Sequence, residues 1–161
     1  MKTTARNHRL RNQRQRKRAR LFYNPFIIAP VASWAVAHTI KLLIALRQGE
    51  FSWRYLVSSG GFPSGHTSLV VAIVATSILE LGWEDPLTGV ALVLAAIVIY
   101  DAQGVRRAAE VLAAQVSQLS RDTKVKLDLP MTTARGHTIA EIIGGAVNGL
   151  IIAIVVSVIL N

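Results

Sequence analysis

Apolar and polar positions divide this chain into long runs. From Pro25 to Leu46 every residue type suits a bilayer interior except His38 and Lys41. At 1.5 Å per residue, about 22 helical residues cross a hydrocarbon core of roughly 30 Å. Thr67 to Trp83 is a second apolar run with Glu80 near its far end, and Leu87 to Tyr100 is a third that stops at Asp101. Both are short for spans and are expected to lean on flanking residues or thin the bilayer locally. His137 to Leu160 is the last and clearest run; in it Gly145-x-x-x-Gly149, with Gly144 beside it, allows close helix approach. Between the third and last runs the pattern changes. Val105, Ala109, Leu112, Val116 and Leu119 share one helical face, which predicts an amphipathic helix at the interface or against the bundle. Ser120 to Arg135 reads as a charged loop with a breaker at Pro130. The fold class is therefore all-α: an integral-membrane helical bundle of about four spans plus an amphipathic helix. A cleaved signal peptide is the alternative for the first run, since Ala35-Val36-Ala37 resembles a cleavage site. Pro25 and Pro30 break up the apolar stretch ahead of that point and hydrophobicity continues past it, so an uncleaved span is preferred.

Charge modifies this picture at one end. The net charge is +9, but residues 1–24 hold nine Lys/Arg and no acid, leaving nine basic and nine acidic side chains elsewhere. A neutral apolar body, residues 22–161, thus follows a basic, polar arm, residues 1–21, expected to be disordered in isolation. Its partner is expected to be anionic headgroups or the translocation machinery. Nucleic acid is not expected, because no aromatic interleaves the arginines to stack on bases. The chain has no cysteine, so disulfides and thiolate metal sites are excluded.

The candidate chemistry gathers by parity. Gly60-Gly61-Phe62-Pro63-Ser64-Gly65-His66-Thr67-Ser68 is a glycine-rich turn running into the second apolar run. Ser64 is placed as an N-cap, with His66 in the first turn beside unpaired amides that suit an anion. Following the chain through four spans, this turn, the stretch Asp101–Arg107 and the stretch Arg135–Glu141 emerge on one membrane face. The basic arm and the Glu80–Pro86 turn emerge on the other. His137 and Glu141 are four apart, so the carboxylate is placed to hold the imidazole in one tautomer. Arg106, Arg107 and Arg135 supply guanidinium forks for phosphate oxygens, and His66 is placed to give a proton to a leaving oxygen. Two histidines, a carboxylate, Lys41 and several arginines around a helix start describe phosphoryl transfer through a phosphohistidine. No acidic cluster suits two Mg²⁺ ions, which makes a route without metal or cofactor the more natural one. The two histidines with Glu141 ligating a single metal ion stays open as an alternative.

These residues resemble the type-2 phosphatidic acid phosphatase and vanadium haloperoxidase superfamily. Pro63-Ser64-Gly65-His66 matches its second signature, and His137-x-x-x-Glu141 is similar to the end of its third, which usually closes on aspartate. Tyr100-Asp101-Ala102-Gln103-Gly104-Val105-Arg106-Arg107 and Asn24-Pro25-Phe26 look like marks of a small divergent branch of it. The resemblance runs from about Asn24 to the C-terminus. It implies His137 as nucleophile, Glu141 as its orienting partner and His66 as general acid. It further implies Ser64, Gly65 and Lys41 as phosphate-binding positions, with Asp101 in support. Two departures stand out. Arg47 falls one position early for the first signature and no proline follows it. The arginine expected six residues before the histidine of the third is replaced by Met131.

The resemblance thus implies a membrane phosphatase acting on a lipid phosphate or isoprenyl diphosphate. The second reading is a degenerate relative that binds a phosphorylated lipid or a membrane-protein partner without turnover. A vanadate haloperoxidase is the third, and a membrane-embedded site suits halide oxidation poorly. Four spans make a small enclosure, which leaves room for a homodimer. By the positive-inside rule the arm is placed in the cytoplasm and the site on the opposite face.

Overall fold

Proline and capping side chains set where the helices begin. The computed structural model describes residues 23–49, 61–123 and 136–160. Among these are five helices: α1 Pro25–Gln48, α2 Gly65–Leu81, α3 Pro86–Gln103, α4 Val105–Thr123 and α5 Ile139–Leu160. Asn24 caps α1 by accepting from the Phe26 N–H at 3.0 Å, with Pro25 at the first helical position, where its missing N–H costs nothing. Asp85 caps α3 in the same way, accepting from Leu87 N–H at 2.8 Å ahead of Pro86. α1 ends on Gly49 at φ 71°, a left-handed cap whose N–H reaches the Ala45 and Leu46 carbonyls.

Three helices (α1, α3 and α5) are long and apolar enough to cross a membrane, and α2 is a shorter apolar helix of 17 residues. At 1.5 Å per residue α2 covers about 25 Å, less than a full hydrocarbon core. The expected four spans are therefore three full-length helices and one short one. Element boundaries also move. α2 begins at Gly65, directly after the expected Ser64 cap and two residues ahead of the apolar run, α3 continues through Asp101 to Gln103, and α1 passes Pro30 without interruption. Ser120–Thr123, expected in the loop, form the last turn of α4. The basic arm, the rest of the 120–135 loop and residues 50–60 lie outside the described residues.

The bundle is inside-out relative to a soluble protein. Buried positions are small: Ala72, Ala75 and Ala153 form a core cluster, joined by Ala29, Ala37, Ser33, Ser68 and Thr67. Large apolar side chains such as Val90, Val93, Ile97, Val158 and Ile159 face outward, where lipid tails meet them. Hydrocarbon offers helices no hydrophobic incentive to associate, so close van der Waals approach has to hold them. The closest pairing is α2 with α5, and α1 packs on both. A Cβ added at Gly145 would lie 2.5 Å from the Ser64 carbonyl oxygen, and one at Gly149 2.5 Å from that of Ser68. Glycine is required at both places for α5 to sit on α2. A polar network ties the same three helices: Ser33 Oγ donates to the Ser68 carbonyl at 3.0 Å, Ser68 Oγ to the Gly145 carbonyl at 3.1 Å. The Asn148 amide donates to the Ser33 carbonyl at 2.9 Å and lies 3.1 Å from Ser68 Oγ. α3 leans on α2, and α4 leans on α3 while leaving Leu112 and Leu119 exposed. That outward apolar face suits a helix lying at the bilayer interface.

Candidate functional site

The glycine-rich turn delivers its residues as the local chemistry requires. Gly61 takes φ 83°, a conformation that favours glycine. Ser64, fully buried, accepts from the Thr67 N–H at 3.3 Å and the Thr67 hydroxyl at 3.0 Å, capping α2. Its own N–H donates to the Glu141 carbonyl at 2.9 Å, which docks the turn on the start of α5. The Ser64 N–H is thus used as a donor and its hydroxyl oxygen as an acceptor within the protein. Gly65 opens α2, where intrahelical bonding leaves the first amides unmatched. A side chain at Gly65 would meet the His38 ring, with Cε1 2.8 Å from the added Cβ. His38 stacks on Trp34 with centroids 4.1 Å apart, and its Nδ1–H donates to the Trp34 carbonyl at 2.9 Å.

On the other side stands His137, whose side chain is fully buried. Its backbone N–H donates to the Ala102 carbonyl at 3.1 Å, so the end of α3, with half-buried Asp101, anchors the residue. Its Nδ1 lies 2.9 Å from Glu141 Oε2. An ionised carboxylate only accepts, so Nδ1 carries a proton, and in the neutral tautomer this leaves the lone pair on Nε2. Nε2 is buried and has no hydrogen-bond partner among the described residues. Such orphans are rare, because each one leaves a desolvation cost uncompensated. The exposed His66 ring faces His137 at a centroid separation of 6.3 Å, tilted by 56°. Glu141 is held in turn by a capping box: its Oε2 accepts from the Thr138 N–H at 3.1 Å and its N–H donates to Thr138 Oγ1 at 3.3 Å. Lys41, 6% exposed, is near enough to Glu141 for their charges to interact.

The structure therefore brings together Lys41, Ser64, Gly65, His66, His137 and Glu141, with Asp101 one residue from the Ala102 anchor. Arg106 and Arg107 lie in the first turn of α4, and Arg135 lies outside the described residues. Sequence reasoning missed Thr138, although Thr138-x-x-Glu141 spells a capping box. It counted His38 only as an ionisable group, and its packing against Gly65 has no signal in one dimension. Among the described residues, no three of His, Asp and Glu gather as a metal-binding set.

A family model described as "Divergent PAP2 family" matches residues 22–152. The chain is also similar to "Uncharacterized membrane protein YuiD" of Bacillus subtilis (strain 168), at 27% identity over 146 residues, covering 81% of this chain and 92% of that protein. No solved structure matches.

Proposed function

This integral-membrane chain belongs to the Divergent PAP2 family, and from that premise we propose that it is a membrane phosphatase for a lipid phosphate or isoprenyl diphosphate. The observation that carries the reading is the orphaned Nε2 of buried His137, oriented by Glu141 and faced by His66 across 6.3 Å. In the proposed reaction Nε2 attacks phosphorus, and the bond from phosphorus to the leaving oxygen breaks as His66 donates a proton to that oxygen. Water then attacks the phosphohistidine, His66 takes the water's proton, the N–P bond breaks and inorganic phosphate leaves. Glu141 stabilises the His137 imidazolium that phosphorylation generates and hydrolysis discharges. Lys41, the Gly65 amide and the arginines Arg106, Arg107 and Arg135 are the proposed partners of the phosphate oxygens, with Asp101 supporting the His137 anchor. Nε2 is covered in this structure, so a phosphate entering the site has to displace its cover. The test is phosphate release by the purified protein from phosphatidic acid and isoprenyl diphosphates. His137→Ala and His66→Ala should each lower it by at least about 100-fold.

One observation favours the alternative, a relative that binds a phosphorylated lipid without turnover. The Ser64 N–H is engaged internally by the Glu141 carbonyl, which removes one donor from the phosphate cradle. Wild-type protein that binds such lipids yet releases no phosphate would decide for it. In either case residues 1–21 form an arm for anionic headgroups ahead of the membrane-embedded domain, residues 22–161.

A further inference from the structure

Beside the histidine pair, a groove of about 560 Å³ opens on the outer surface between α1 and α5. Its walls are Ile40 of α1, Phe62 and Pro63 of the glycine-rich turn, and Ile143, Val147 and Ile151 of α5. Among the described residues no charged side chain lines it. Its polar member is Asn148, whose amide nitrogen is already engaged by Ser33 and Ser68. A polar ligand finds little to bind there, whereas an apolar chain finds a continuous surface.

We propose that this groove seats the apolar tail of a phosphorylated lipid whose headgroup lies at His66 and His137; the assignment rests on the functional reading above. Continuity with the site is the reason for choosing this occupant. Phe62 and Pro63 immediately precede Ser64-Gly65-His66, and Ala140, also on the wall, immediately precedes Glu141. The Phe62 ring lies over Gly144, where any side chain would collide with it, and so forms the rim between headgroup end and tail end. From Ala140 to Ile151 the groove follows α5 for about 16 Å, roughly half the hydrocarbon thickness, which matches a tail confined to one leaflet. A tail moving from bilayer to groove leaves one apolar surrounding for another, so the groove gains position more than affinity.

A test that reads position is therefore the right one. The full chain is reconstituted in phosphatidylcholine vesicles with a trace of phosphatidic acid carrying a mid-chain diazirine, irradiated, and its peptides mapped by mass spectrometry. Adducts should concentrate on α5 around Val147 and Ile151, several-fold above those from phosphatidylcholine bearing the same diazirine tail. Val147→Trp or Ile151→Trp, each adding bulk at a half-exposed site, should cut them several-fold. Val158→Trp, farther along α5, should leave them at the wild-type level. Equal labelling by the two lipids, or adducts spread over α3 and α5 alike, would overturn the groove. Phosphate release without enrichment on α5 would overturn it while leaving hydrolysis standing. Enrichment on α5 in a protein that releases no phosphate would support the groove and remove hydrolysis.

Discussion

The backbone N–H of Ser64 donates to the backbone carbonyl of Glu141 at 2.9 Å, joining the turn that carries His66 to the helix that follows His137. Glu141 thereby has two duties at once. Its carbonyl docks the turn, while its carboxylate orients the His137 ring and caps α5 through Thr138. The separation of the two imidazoles is thus set by backbone contacts rather than by long, adjustable side chains.

The two carboxylate roles can be separated. Glutamine also serves at the third position of a capping box, so Glu141→Gln should leave thermal stability in detergent close to wild type. It loses the charge that stabilises an imidazolium, and phosphate release should fall on the order of 10²- to 10⁴-fold. Thr138→Ala should do the reverse, costing about 1 kcal/mol of stability while the carboxylate stays beside His137. Melting curves and phosphate assays on both variants check this. A Thr138→Ala protein as inactive as Glu141→Gln would count against independent roles.

Glycine substitutions should rank by what the new methyl meets. At Gly145 and Gly149 it meets backbone oxygens at 2.5 Å, which cannot rotate away, so Gly→Ala at either should destabilise by about 1–3 kcal/mol, the usual cost of overpacking. At Gly89 nothing lies within 4 Å, and Gly89→Ala should be neutral or slightly stabilising, since alanine is the better helix former. Monodispersity and melting temperature in one detergent supply the ranking. Equal effects at the three sites would refute the α2–α5 contact.

Much of this architecture is legible in one dimension because it is periodic or locally capped. The apolar runs become helices, Ser64 becomes a cap, and Gly145-x-x-x-Gly149 becomes a close contact. Parity through the runs correctly anticipates that the turn, the end of α3 and the start of α5 meet. Boundaries shift where hydropathy is a poor guide: α3 continues past the apolar run through Asp101 to Gln103, because backbone bonding does not stop at the first charged side chain. The Ser33–Ser68–Asn148 network was illegible, because a lone serine or asparagine in an apolar run has no period and acquires a partner only when helices pack. Thr138 is hidden for another reason, since a carboxylate four residues after a histidine reads first as that histidine's partner.

That network supplies a further expectation. Asn148→Leu removes the amide that bridges Ser33 and Ser68 and leaves the Ser33 carbonyl without that donor. Unsatisfied buried polar groups cost about 1–3 kcal/mol, although interhelical bonds in membranes average nearer the low end. Asn148→Leu should therefore lower stability measurably, and Ser33→Ala in that background should add little more, because the two act on one network. Additive losses in the double variant would argue for separate contributions.

Sidedness follows from charge and can be read directly in a chain without cysteine. The arm carries nine basic residues and no acid, ahead of the first span. The site-side segments carry eight, Arg47, Arg54, Arg106, Arg107, Arg121, Lys124, Lys126 and Arg135, diluted by acids and in part proposed as phosphate partners. Lys and Arg counted near the spans therefore differ little, and on the undiluted arm we propose a cytoplasmic N-terminus. A membrane-impermeant maleimide applied to intact cells should label Thr123→Cys, at the end of α4, and spare Ala19→Cys in the arm. The reverse pattern would move His66 and His137 to the cytoplasmic leaflet. It would also oblige any lipid substrate to present its phosphate there, so the labelling result selects which leaflet's lipids belong in the phosphate assay.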